Sequence, residues 1–188
     1  RRARPKHRCA ASGTRGGPSW DFRGGTLTAM NLAEISRRLE LETLYADYSA
    51  CLDSDALERW PNFFTETCHY RVTSAENYEH GLPLGLIYAT SQNMLRDRVS
   101  ALRDANIYEP QRYRHLVSGI RIEQEDGGAL DVTANFLVVR TMQDGGMILF
   151  AAGRYVDRIE RAGAAWKFAR KIVVLDSRQI DTLLAIPL

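Results

Sequence analysis

The spacing of apolar positions divides the chain into a helical first half and a stranded second half. From Asn31 to Asp53, Leu32, Ile35, Leu39, Leu44, Tyr45, Tyr48 and Leu52 recur at helical spacing and predict the longest helix. Asp53-Ser54-Asp55 offers an N-cap for a short second helix, Ala56 to Phe64, on which Trp60 and Phe64 share a face. Cys68 to Thr73 reads as a short strand, and Ala75 to Gly85, with Gly81, Pro83 and Gly85, as a loop. The stretch from Ser91 opens as an amphipathic helix with Leu95, Val99 and Leu102 on one stripe and Arg96, Ser100 and Arg103 opposite. Arg98 falls beside that stripe, so its guanidinium must snorkel to water or find a carboxylate. Pro110 disfavours helical geometry at Glu109 and stops this helix before Tyr108.

After Pro110 the period changes to two. Arg112 to His115 begins a strand with Tyr113 and His115 on one face and Arg112 and Arg114 on the other. Runs from His115 to Gln124, Leu130 to Thr141, Met147 to Ile159 and Ala165 to Asp176 are rich in Val, Ile, Phe and Tyr. Asp126-Gly127-Gly128, Asp144-Gly145-Gly146 and Arg161-Ala162-Gly163 between them are hairpin chemistry. Ser118-Gly119 breaks the apolar phase and predicts a bulge. Helices followed by a meander make an α+β domain with helices on one face of a curved sheet.

The meander is apolar on both faces. Phe136 and Val138 oppose Leu137 and Val139, and Trp166, Phe168, Ile172 and Val174 oppose Val173 and Leu175. A sheet with one wet face alternates cleanly, so the second face here calls for another subunit. The ending Leu183-Leu184-Ala185-Ile186-Pro187-Leu188 adds further apolar surface that needs cover.

Charge changes the picture at the start of the chain. The net formal charge is +2, yet residues 1–30 carry seven basic residues against Asp21 alone, which leaves residues 31–188 at −4. Residues 1–29 therefore read as a disordered or non-native basic arm, with Met30 in the place of a start residue, and residues 30–188 as a single domain. Trp20 and Phe22 could anchor that arm on a partner. An acidic body argues against nucleic acid as partner, and no apolar run reaches the ~20 residues of a membrane span. Cys9, Cys51 and Cys68 are odd in number and irregular in spacing, which fits a reducing cytoplasm.

Chemistry-bearing residues are few. His7, His69, His80 and His115 are the only histidines, and Cys68 and His69 are adjacent, which excludes Rieske spacing. Neither phosphate-loop nor dinucleotide nor nucleophile-elbow motifs occur. His115 is the most serious catalytic candidate, able to share a pocket with Tyr48, Asp53 and Asp97 for acid–base work. Against it stands the structural alternative, in which Arg98, Arg114 and His115 pair inside the fold or at an interface with Asp97 or Asp176.

Several blocks in order resemble one family. They are Asp53-Ser54-Asp55-Ala56 through Trp60-Pro61 and Phe63-Phe64, Cys68 through Val72, Met94 through Arg98, Ala101-Leu102-Arg103, Arg112 through His115, and the ending Asp181-Thr182-Leu183 with Pro187-Leu188. Across residues 31–188 the chain resembles the small (β) subunit of aromatic-ring-hydroxylating dioxygenases. The resemblance implies a nuclear-transport-factor-2-like (SnoaL-like) cone. It implies a non-redox role beside a large (α) subunit that holds a Rieske [2Fe-2S] cluster and a mononuclear Fe(II), with NADH supplying electrons through a reductase. It further implies a trimer within an α3β3 assembly, a terephthalate-like aromatic carboxylate as substrate, and no metal ligands or catalytic residues in this chain. Arg98, Arg112, Arg114, His115, Leu137 and Val139 are then expected at subunit interfaces. The other reading is a stand-alone cone-fold dehydratase, isomerase or cyclase using His115 with Asp97 or Asp53.

Overall fold

The computed structural model describes residues 31–105, 109–177, 184 and 186–188. The expectations for the basic arm, Met30, Tyr108 and Asp181-Thr182-Leu183 lie outside those residues. Leu32–Leu188 make one compact unit.

Helix α1 spans Leu32–Asp53 and buries Leu41, Leu44, Tyr45, Tyr48, Ser49, Cys51 and Leu52. Its first turns project instead: Leu32, Ile35 and Leu39 are exposed, Leu32 at 82%. The stripe read from sequence is thus right only for the second half, where Leu41 joins it. The helix ends in a six-to-one closure, Ala56 N–H donating to the Cys51 carbonyl at 3.0 Å, with Asp55 in the left-handed region at φ 56°. Asp53-Ser54-Asp55 therefore stops α1 rather than capping the next helix. The chain then enters a 3-10 turn, Leu57–Phe63, without a side-chain cap.

Strand β1, Phe64–Ser74, leads into α2, Ala75–Glu79, whose N-terminus Ser74 caps by accepting from Asn77 N–H. The loop-like composition of that stretch predicts neither this short helix nor strand β2, Ile87–Ala89. Helix α3, Gln92–Ala105, buries Leu95, Val99 and Leu102 as its period predicts. Strands β3 Gln111–Asp126, β4 Ala129–Met142, β5 Met147–Ala162 and β6 Ala165–Leu175 form the antiparallel meander. The sheet order is β2-β1-β6-β5-β4-β3, with β1 parallel to β6 and every other pair antiparallel. The two-residue Gly127–Gly128 connection has positive φ at both positions, the requirement of a type I′ hairpin.

Among the register shifts that curve the sheet, three bear on where the site residues point. Gly119, at φ +63°, sits where the β3–β4 register shifts, as the broken phase predicts. Phe150 is an extra residue between the Val138–Ala151 and Val139–Leu149 pairs. Ala169 is another, between Phe168 and Arg170 on β6. It moves Phe168 onto the core face with Lys171, Val173 and Leu175, against the strict alternation expected for that strand.

The cone interior is aromatic: Tyr45, Tyr48, Trp60, Phe64, Tyr70, Tyr155 and Phe168 are fully buried against one another. Leu184, Ile186 and Leu188 are buried there too. The Leu188 carbonyl accepts from Tyr48 OH at 2.8 Å and Tyr70 OH at 3.1 Å. These described residues of the ending find their cover within their own chain. Among the described residues, no helix is long and apolar enough to cross a membrane.

Candidate functional site

Three places combine polar chemistry with position. The first is a cavity of about 650 Å³ between α1 and β3, lined in part by Arg38, Tyr45, Ser49, Asp53, Arg114 and His115. The αL turn at Asp55 ends α1 so that Asp53 meets the edge of β3. Its carboxylate accepts from His115 N–H at 3.0 and 3.1 Å and lies 2.7 Å from His115 Nδ1, with Arg114 Nη1 at 3.6 Å. The imidazole is closed to solvent, and its Nε2 has no hydrogen-bond partner among the described residues. Of the acid–base set, the fold brings together His115 and Asp53 alone. Asp97 is exposed on α3, and Tyr48 is committed to Leu188 and to Trp60 Nε1 at 3.1 Å. Neither Asp97 nor Asp176, also exposed, partners His115. Arg98 reaches the Leu184 carbonyl at 2.8 Å, a carbonyl rather than the carboxylate or solvent that its place on the helix predicts.

The second place has no motif in the sequence. Lys171 and Asp157 are fully buried, with Nζ 3.1 Å from Oδ2, and Tyr45 OH donates to the same oxygen at 2.6 Å. Nζ lies 3.4 Å from the Tyr155 ring centroid, 4.4 Å from Phe168 and 4.6 Å from Tyr48, a cage of π faces. Burial holds the Lys171 ammonium down and the Asp157 carboxyl up, each partly opposed by the other's charge. The available signal is a charge at an inward position on each strand: Asp157 between Tyr155 and Ile159, and Lys171 two before Val173.

The third is the outer face of the sheet. Where β1 and β6 finish it is closed by the chain itself: Thr73 Oγ1 donates to the Leu84 carbonyl at 2.8 Å, and Val174 is buried. Over β3, β4 and β5 it stays open. Leu116 and Leu137, cross-strand partners, are 52% and 36% exposed, and Met147 and Leu149 are more so. Val139 lies in this face, half-buried, between Arg114 on β3 and Leu149 on β5. Arg112 and Arg114 border it from β3.

Among the described residues, no three His, Cys, Asp or Glu side chains converge as a metal-ligand set. His69 sits on the outer side of β1 against Tyr88, His80 faces the Glu76 carbonyl, and Cys51 and Cys68 are free and buried. These donors do not fit an iron centre.

Residues 49–182 match the family described as ring hydroxylating beta subunit. Subunit beta 1 of the terminal oxygenase component of terephthalate 1,2-dioxygenase from Comamonas sp. is 43% identical over 150 residues, covering 80% of this chain and 97% of that one. The small subunit of anthranilate 1,2-dioxygenase from Burkholderia cepacia is 42% identical over 159 residues, covering 84% and 99%. A crystal structure from Novosphingobium aromaticivorans, of a beta subunit assigned to an aromatic-ring-hydroxylating dioxygenase, aligns with a TM-score of 0.76. It shares 35% identity and covers 84% of this chain and 100% of that one.

Proposed function

The chain belongs to the ring-hydroxylating beta-subunit family, and from that premise we propose that it is the non-redox subunit that holds a dioxygenase assembly together. The Rieske cluster and the mononuclear iron reside in the large subunit, NADH reaches them through a reductase, and the small subunits form the trimer of an α3β3 particle in the cytoplasm. The substrate is an aromatic carboxylate, the class to which terephthalate and anthranilate, named for two relatives, both belong.

One observation carries this reading: the outer sheet face over β3–β5 exposes Leu116, Leu137, Met147 and Leu149 together, an apolar area no element of the chain covers among the described residues. Leu137 and Val139, bordered by Arg112 and Arg114, form the subunit contact. His115 and Arg98 stand behind it. His115 ties Asp53 to the β3 edge beside Arg114, and Arg98 ties α3 to Leu184. His115 thus positions a charged rim and touches no substrate.

The test is ring-hydroxylating activity of the reconstituted system with the His115→Ala chain. The proposal expects assembled particles to keep most of their wild-type turnover. Loss of turnover with assembly intact would transfer the chemistry to the His115–Asp53 pair.

A further inference from the structure

At the opposite end of the sheet, on β1, β6 and β2, lies a second surface with a different chemistry. His69 and Arg170 are register partners on β1 and β6, and Arg71 stands two residues beyond His69. Arg170 has Asp131 at 3.2 Å, but Asp131 also holds Arg158 at 3.1 Å. No described carboxylate lies within ion-pair distance of His69 or Arg71; Arg71 meets only the Leu82 carbonyl, at 3.4 Å. Three buried nitrogens of this cluster, His69 Nε2, Arg71 Nε and Arg170 Nε, have no hydrogen-bond partner among the described residues. A buried donor without an acceptor is destabilising, and the penalty is relieved when a carboxylate arrives. The mutual repulsion is felt at His69, whose proton affinity is lowered first by burial and then by Arg71 and Arg170.

The cluster is continuous with an apolar row. Tyr88 on β2 pairs with Arg71 and packs its ring 5.1 Å from His69. From there Leu86, Leu84 and Leu82 run back along an extended segment, all exposed, Leu84 and Leu86 at 61%. β2 is the sheet edge, only Ile87–Ala89 long, so this row is the margin of the molecule.

We infer that the His69–Arg71–Arg170 cluster and the Leu82–Tyr88 row form the docking surface for the large subunit, which presents an acidic side chain flanked by apolar ones. The inference rests on the reading above that a large subunit binds at all. Charge complementarity selects the occupant. A second copy offering its open sheet face would bring the bordering Arg112 and Arg114 against His69, Arg71 and Arg170, cation against cation. The large subunit and the second copy therefore take separate ends of the sheet.

The test is binding of the large subunit to the wild-type, Arg71→Glu and Leu84→Glu chains, alongside the mass of each chain alone by light scattering. Leu84 stands in solvent, so Leu84→Glu folds even if Arg71→Glu does not. The expected result is at least a tenfold loss of affinity for the large subunit in both variants, with self-association unchanged. Wild-type affinity in the Leu84→Glu chain overturns the inference and leaves the functional reading standing. So does loss of self-association in place of large-subunit binding, which assigns the surface to a second copy. Failure of the wild-type chain to bind the large subunit overturns both.

Discussion

Lys171 and Asp157 meet at the centre of the cone, where two charges survive only by serving each other and four aromatic rings. Removing one partner strands the other, which for buried pairs costs about 3–5 kcal/mol, whereas replacing both with apolar residues is often neutral. Lys171→Met should therefore lose about that much in urea unfolding, and Lys171→Met with Asp157→Leu should recover most of it. The pH dependence carries a sign. Burial lowers Lys171 to about 8 from an unfolded value of 10.5, so between those values the unfolded chain binds more protons and stability rises with pH. Tyr45, Tyr48 and Tyr155, held above 10.0 by burial, add no slope below that value; beyond it the unfolded phenols ionise first and stability falls with pH. Urea midpoints from pH 8 to 10 should climb in the wild type and stay flat in the double variant. Neither residue is legible as a site because an inward charge on a strand looks the same as an outward one until its partner strand is placed. His115 is legible as a group that needs a carboxylate, with Asp53 named beside Asp97 and Asp176; what selects Asp53 is the αL stop at Asp55, which no local pattern announces. His115→Ala removes one bond to Asp53 and should cost about 1–3 kcal/mol in thermal or urea unfolding.

At the scale of elements, period and turn chemistry foretell most of the fold. The 3.6-residue stripe of α3 and the Gly-Gly hairpins need only local information, and both stand as read. Helix α2 and strand β2 leave no such trace because five- and three-residue elements owe their existence to neighbours: Ser74 caps the one, and pairing with β1 makes the other. Phe168 changes face because a one-residue bulge at Ala169 inverts every later assignment. The glycines that shape the strands differ in kind. Gly119 is required for its φ of +63°, and an added Cβ meets only the side-chain amide of Asn135. Gly119→Ala should cost about 1–2 kcal/mol. At Gly153 a Cβ would lie 2.0 Å from the Val174 carbonyl oxygen, so β5 and β6 must part. Gly153→Ala should cost at least about 3 kcal/mol, the upper end for overpacking. Parallel urea titrations of the two variants check the order.

The whole molecule has more apolar sheet than helices to cover it. That surplus is visible in the sequence as strands greasy on both faces, although the Gly81–Leu86 segment turns out to cover the stretch where β1 and β6 finish. The exposed first turns of α1 are not visible there, because a helix inside one chain and a helix awaiting another share one period. Leu137→Asp alters a side chain already partly in water, so it should leave the urea midpoint nearly unchanged while abolishing self-association. The most direct measurement is the mass, by native mass spectrometry, of the particle formed when this chain and its large subunit are expressed together. The account predicts equal numbers of the two subunits in a particle of three pairs, with the small subunits in mutual contact. A chain that stays monomeric beside a fully formed large-subunit assembly would contradict it.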